Sequence, residues 1–170
     1  PKGPSQSTPF VTREDLKILA RQGEEEGVLS EDEHAMIHRV FELSGKQAHQ
    51  IMVPLEKITF INKDDTLTAF FETARASGYT RFPVYDVRKE SFLGIINAFD
   101  VLSFRGDSTD FPFDWLARPP LFINKHTNVD TILPLMRRYQ QPMSLVTGEY
   151  GSVCGLITTE DILKEIVGIT

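Results

Sequence analysis

The tetrapeptide Phe-Ile-Asn-Lys occurs twice in this chain, once as Phe60-Ile61-Asn62-Lys63 and once as Phe122-Ile123-Asn124-Lys125. An offset of 62 residues then brings Leu67 onto Val129, Phe70 onto Ile132, Phe71 onto Leu133 and Ala74 onto Met136. Each set is apolar at i, i+3, i+4 and i+7, the core face of an amphipathic helix. Further along, an offset of 61 aligns "GIINAFDVL" (Gly94 to Leu102) with "GLITTEDIL" (Gly155 to Leu163). A chance tetrapeptide would not carry a matching helix face and a second matching motif. The chain therefore holds one fold unit twice, and two copies packed together create clefts that neither has alone.

Each unit reads as a short strand (Ile58 to Ile61; Leu121 to Ile123), a helix, two strands, and a closing helix that opens near Asp100 or Asp161. The strand pairs are Phe82 to Tyr85 with Phe92 to Ile96, and Ser144 to Thr147 with Val153 to Ile157. Their connections, "DVRKES" and "GEYGS", are rich in charge or glycine. The fold class is α/β (α+β), in the order β-α-β-β-α twice, with the two sheets burying their faces across a pseudo-twofold. Asp65-Thr66 and Thr127-Asn128 supply N-caps for the first helix of each unit. Pro134 should kink the second copy of that helix or shift its start. Ahead of the repeat, Met36, Ile37, Val40 and Phe41 form a helical apolar stripe, with Ser30 and Glu33 placed as a capping box. Residues 1–50 thus form a linker and helical lead-in, 51–110 the first unit and 111–170 the second.

Composition narrows the function. The 170 residues carry 18 basic and 24 acidic side chains, a net charge of −6, which disfavours nucleic acid as a partner. The acidic runs Glu24-Glu25-Glu26 and Glu31-Asp32-Glu33 read as solvated helix faces. One cysteine, Cys154, excludes an intramolecular disulfide and reads as a small core residue in a reducing compartment. No apolar run approaches the roughly 20 residues that span a bilayer, and no signal peptide opens the chain. The opening "PKGPSQSTPF" and the ending "EIVGIT" both suggest a piece of a longer protein. There is no phosphate-binding P-loop, no Gly-x-Ser-x-Gly and no paired-cysteine spacing, so the chain reads as a non-enzyme. His34 and His38 lie one helical turn apart, but no third ligand is in view and no metal site is assigned.

The stretches "ASGYTRFPVYD" (Ala76 to Asp86), "IMVP" (Ile51 to Pro54) and "GEYGSVCGLITTEDILKEIVG" (Gly148 to Gly168) resemble a tandem CBS-domain pair. They are similar in particular to the CorC/HlyC group of magnesium and cobalt efflux proteins, which is related to the animal cyclin M transporters. The resemblance covers about residues 11–170. It implies a regulatory module on the cytoplasmic side of the plasma membrane, a soluble part of a longer membrane protein whose transport domain is absent from this chain. It also implies a homodimer built mainly by the closing helices of each unit, from Val101 and Ile162 onward. One departure is Leu55, which stands where the group often has arginine.

The resemblance further implies adenine-nucleotide binding (ATP, ADP or AMP, with Mg2+ on the phosphates) at a Gly-x-x-[Ser/Thr]-x-x-Asp motif. Gly155, Thr158 and Asp161 match it, whereas Gly94, Asn97 and Asp100 keep the aspartate but lose the hydroxyl. The chemistry suits the spacing. An aspartate can accept both vicinal ribose hydroxyls, and a threonine with helix N-terminal N–H groups can meet phosphate oxygens. Arg81 is the candidate phosphate partner, and Thr59 a candidate for the base pocket. Thr158-x-x-Asp161 is also an ordinary helix start, so the alternative is a structural dimerisation module with a vestigial site.

Overall fold

The computed structural model describes residues 10–103, 111 and 113–169; all of the expected linker at residues 1–10 except Phe10 lies outside them. Three helices lead in: α1 (Arg13–Glu25), α2 (Glu31–Leu43) and the short α3 (Ala48–Ile51). Ser30 caps α2 as the sequence implies. Glu33 N–H donates to Ser30 Oγ, and the Glu33 carboxylate accepts from Ser30 N–H at 2.8 Å. Thr12 and Asp15 repeat the same box at α1, a helix the apolar stripe did not announce.

The first unit then runs β2 (Ile61–Asn62), α4 (Leu67–Ser77), β3 (Arg81–Asp86), β4 (Ser91–Asn97) and α5 (Ala98–Ser103). The second runs β5 (Leu121–Asn124), α7 (Val129–Arg138), β6 (Met143–Thr147), β7 (Val153–Thr158) and α8 (Thr159–Val167). Both follow β-α-β-β-α. A two-residue strand β1 (Val53–Pro54) precedes the repeated elements of the first unit, and a one-turn helix α6 (Phe113–Leu116) those of the second. The opening strand of unit one is shorter than its sequence suggests. Ile58 to Phe60 lies outside any strand, so Thr59 is not part of a ladder.

The repeat holds residue by residue. Ile61 pairs with Val84 and Ile123 with Val146, both in parallel register and 62 residues apart. Arg81 faces Asn97, and Met143 faces Thr158, across the antiparallel ladders. Irregularities fall at Val84/Tyr85 and at Val146/Thr147, again matched. The two cores are built from corresponding side chains: Ile61 and Ile123, Phe70 and Ile132, Val84 and Val146, Ile96 and Ile157, Val101 and Ile162. Each is nearly or fully buried, worth about 1.5–3 kcal/mol apiece.

The twin tetrapeptide is explained by the same correspondence. In each copy the isoleucine enters the core and the phenylalanine faces outward. Lys63 N–H donates to Tyr85 O at 2.9 Å, and Lys125 N–H to Thr147 O at 2.8 Å. The Lys63 ammonium lies 3.1 Å from Asp86, and the Lys125 ammonium 3.1 Å from Glu149. Each lysine ties the end of the opening strand to the end of its neighbour.

Pro134 does not shift the start of α7, one of the two outcomes expected from the sequence. Val129 opens α7 just as Leu67 opens α4, and the helix continues past Pro134 to Arg138. Pro134 lies on the exposed face, and the carbonyl deprived of a donor belongs to exposed Asp130, where water can bond it. Of the two expected caps, Thr66 Oγ1 accepts from Ala69 N–H at 3.2 Å, whereas the Asn128 side chain makes no capping bond.

The units interlock. Strand β1, which leads into unit one, pairs antiparallel with β7 of unit two: Val53 with Leu156 and Pro54 with Gly155. Conversely, Arg118, on the way into unit two, exchanges two backbone hydrogen bonds of 2.9 Å with Ile95 of unit one. The sheets are thus β1-β7-β6-β5 and β2-β3-β4. A third apolar cluster, centred on Ile58, Leu145 and Leu156 with Val53 and Ile95 against it, joins the units. This exchange explains the motif glycines. A Cβ on Gly155 would sit 2.6 Å from both Val53 O and Met52 Sδ, and one on Gly94 would sit 2.5 Å from Arg118 O.

Candidate nucleotide cleft

The N-terminus of α8 is held by its own first turn. Thr158 Oγ1–H donates to Asp161 Oδ2 at 2.6 Å, Thr158 N–H donates to the same oxygen at 2.9 Å, and Asp161 N–H returns a bond to Thr158 Oγ1 at 3.1 Å. The capping reading of this pair is therefore real. It uses one carboxylate oxygen, Oδ2, and leaves the Oδ1 lone pairs for other donors.

Two further segments converge on this helix end. Helix α4 stops at Gly78, whose φ of 70° turns the chain into Tyr79, Thr80 and Arg81 at the head of β3. The pairing of β1 with β7 lays Lys57, Ile58 and Thr59 along the other side. Together they enclose a cavity of about 290 Å3 between the units, lined by Thr59, Arg81, Thr158 and Asp161 among others. Four of the six sequence-nominated residues, drawn from three separate segments, thus share one cavity.

The other two lie elsewhere. Asn97 lines a second, smaller cavity of about 140 Å3 with Arg81, Arg118, Gln140 and Gln141. Asn97 Oδ1 accepts from Phe99 N–H at 3.0 Å and so helps to start α5. Asp100 lines neither cavity; its carboxylate lies 3.4 Å from the Arg118 guanidinium. The two motif aspartates are therefore not equivalent.

Sequence reasoning missed Lys57, Tyr79, Glu160 and Lys164, which also line the larger cavity. Lys164 was legible, one turn after Asp161 on the same helix. Lys57 was not, because its place depends on the exchange of β1. Among the described residues, none of Lys57, Arg81 and Lys164 forms a salt bridge. Three cations without carboxylate partners, beside only Glu160 and Asp161, give the cleft an appetite for anionic groups. His34 and His38 stack edge to face at 4.8 Å, with Glu24 on His34 Nδ1. No group of three or more metal-ligating side chains gathers anywhere among the described residues.

A family model for the CBS domain matches residues 48–107 and 113–168, one copy on each unit. The chain belongs to the CBS-domain family. This CBS pair is 34% identical over 157 residues to the magnesium and cobalt efflux protein CorC of Pasteurella multocida, covering 92% of this chain and 52% of that protein. The chain thus spans about half the length of that relative and less of the others. The solved CBS domain of a bacterial CNNM/CorC family Mg2+ transporter superposes with a TM-score of 0.86 at 29% identity, covering 95% of this chain and 99% of that one. A CBS domain from the same transporter family, solved in complex with ATP, gives a TM-score of 0.74 at 30% identity over 80% of this chain and 97% of its own. Among the described residues of this CBS pair, no helix is long and apolar enough to cross a membrane.

Proposed function

We propose that this CBS pair is a regulatory module that binds one adenine nucleotide, with Mg2+ on its phosphates, in the larger cleft between its units. The observation that carries the reading is the convergence of Thr59, Arg81, Thr158 and Asp161 on one cavity. Asp161 Oδ1 faces the ribose hydroxyls, Thr158 and the α8 N-terminus take phosphate, and Arg81 with Lys57 and Lys164 balances the phosphate charge. Glu160, on the same cavity, stands where a phosphate-bound Mg2+ would find a carboxylate. The solved relative in complex with ATP supports this assignment. The nucleotide state would be passed to a membrane transport domain of the same parent chain, on the cytoplasmic side of the membrane, as the CorC relationship suggests.

The same reading includes a homodimer. Along the closing helices, Val101 and Ile162 are already buried within their own units. The closing helices instead expose Phe99, Leu102, Leu163 and Val167, each at least 43% accessible. These are the side chains that a second copy would cover.

Thermal denaturation with ATP, ADP and AMP, each with and without Mg2+, tests the nucleotide assignment. A ligand bound only by the folded state adds about 2.7 kcal/mol at a hundred times its Kd. In a chain of this size that raises Tm by roughly 5–10 °C. The absence of any shift with all three nucleotides would return the chain to a structural dimerisation role.

A further inference from the structure

The second cleft contains a side chain that behaves like a ligand. Gln141 Nε2–H donates to Pro119 O at 2.8 Å, and its Oε1 accepts from Leu121 N–H at 2.7 Å. The carboxamide thereby bridges an acceptor and a donor two residues apart on the segment leading into unit two. The offset of 62 that relates β2 to β5 and β3 to β6 maps Pro119 onto Lys57, Leu121 onto Thr59 and Gln141 onto Tyr79. The corresponding wall of the larger cavity is bare. Among the described residues no hydrogen bond reaches Thr59 N–H or the Lys57 carbonyl.

We infer that Gln141 is an internal plug, occupying in the second cleft the place that the base of a nucleotide takes in the first. An amide presents one in-plane donor beside one acceptor. The amino-and-ring-nitrogen edge of adenine presents the same pair in the same order. Backbone groups that accept one can accept the other. Gln140 supports the reading independently. Its φ of 53° matches the 70° of Gly78, so a residue with a Cβ is held in the left-handed region where unit one has glycine. That conformation delivers Gln141 to the wall. The charged end of the second cleft is intact, with Arg81 and Arg118 lining it, while its volume is about 140 Å3 against about 290 Å3 in the first. The inference rests on the nucleotide reading of the larger cavity. It adds that Gln141 sets the stoichiometry at one.

Calorimetric titration of the whole chain with Mg2+-ATP and with AMP decides it. The wild type should take one equivalent, and Gln141→Ala two, the second weaker, with the first affinity unchanged within about two-fold. Gln141→Leu, which fills the space without the hydrogen bonds, should stay at one. A folded Gln141→Ala protein that still takes one equivalent overturns the plug. If Gln141→Ala does not fold, Gln141→Glu replaces it, since its second oxygen opposes the Pro119 carbonyl and should release the wall. If the wild type binds nothing, the reading of the larger cavity fails. The variant still decides the second cleft in that case: one equivalent gained supports the plug, and none overturns it.

Discussion

Arg81 and Asn97 stand opposite each other at the end of the β3–β4 ladder, and Arg81 lines both cavities. At the matching place in unit two the partners are Met143 and Thr158. The two clefts therefore share one arginine but differ in the group beside it. One has a threonine that caps α8 and lines the larger space; the other has an asparagine turned toward its own helix.

Arg81→Ala should weaken nucleotide binding by roughly ten- to a hundred-fold, the loss of one charge-assisted contact. Arg81→Lys should recover part of it, because an ammonium keeps the charge but not the fork. Since Arg81 forms no salt bridge among the described residues, Tm without ligand should change by no more than about 2 °C. Calorimetric titration and a melting curve check both halves.

Asp161→Asn should cost roughly ten- to a hundred-fold in affinity by removing charge from the ribose contact while keeping its shape. Asp100→Asn should cost far less, because Asp100 lines neither cavity and is held beside Arg118. Equal losses, measured by titration with ATP, would mean two working sites.

Gly155→Ala and Gly94→Ala should each destabilise the fold by about 1–3 kcal/mol through overpacking against backbone carbonyls. A Tm lowered by roughly 2–12 °C is expected. Gly45→Ala, whose nearest contact would be 3.5 Å away, is the control and should leave Tm nearly unchanged.

Asp86 supplies a pH test. Burial opposes its charge. The Lys63 ammonium 3.1 Å away and the hydrogen bonds from the N–H groups of Arg88 and Lys89 together outweigh that and hold its pKa below the ordinary value. A lowered carboxylate pKa stabilises the fold above the unfolded value of about 3.9, and the contribution disappears as pH falls through the folded value. The denaturant midpoint of the wild type should thus exceed that of Asp86→Asn at pH 7, and the gap should narrow below about pH 4.

Leu163→Glu combined with Phe99→Asp should convert a dimer to a monomer at tens of micromolar, because both exposed side chains lie on the closing helices. Light scattering after size exclusion measures it. A wild type with the mass of one chain would remove the dimer from the proposal.

Several elements were legible because their signals are local. The Ile61/Ile123 and Phe70/Ile132 cores follow from helical and strand periodicity repeated at a fixed offset, and the Ser30–Glu33 box from four adjacent residues. The larger cavity was half legible: Thr158 and Asp161 belong to a contiguous motif. Lys57 reached it only through the pairing of Val53 with Leu156, a two-residue strand too short for periodicity and a partner a hundred positions away. The plug was hidden for another reason. Gln140 adopts a glycine-like conformation that nothing in its residue type announces.

The exchange of β1 onto β7 has a consequence for how sequence variants should be sorted. A change at Met52 or Val53 falls, by position, in the first half of the chain, but its damage lands beside Gly155 and Leu156 in the second. A change at Ala117 or Arg118 falls, by position, in the second unit, but lands beside Gly94 and Ile95 of the first. Any table that groups substitutions by linear unit will misplace these residues, and a harmful pair drawn from opposite units can mark a single lesion.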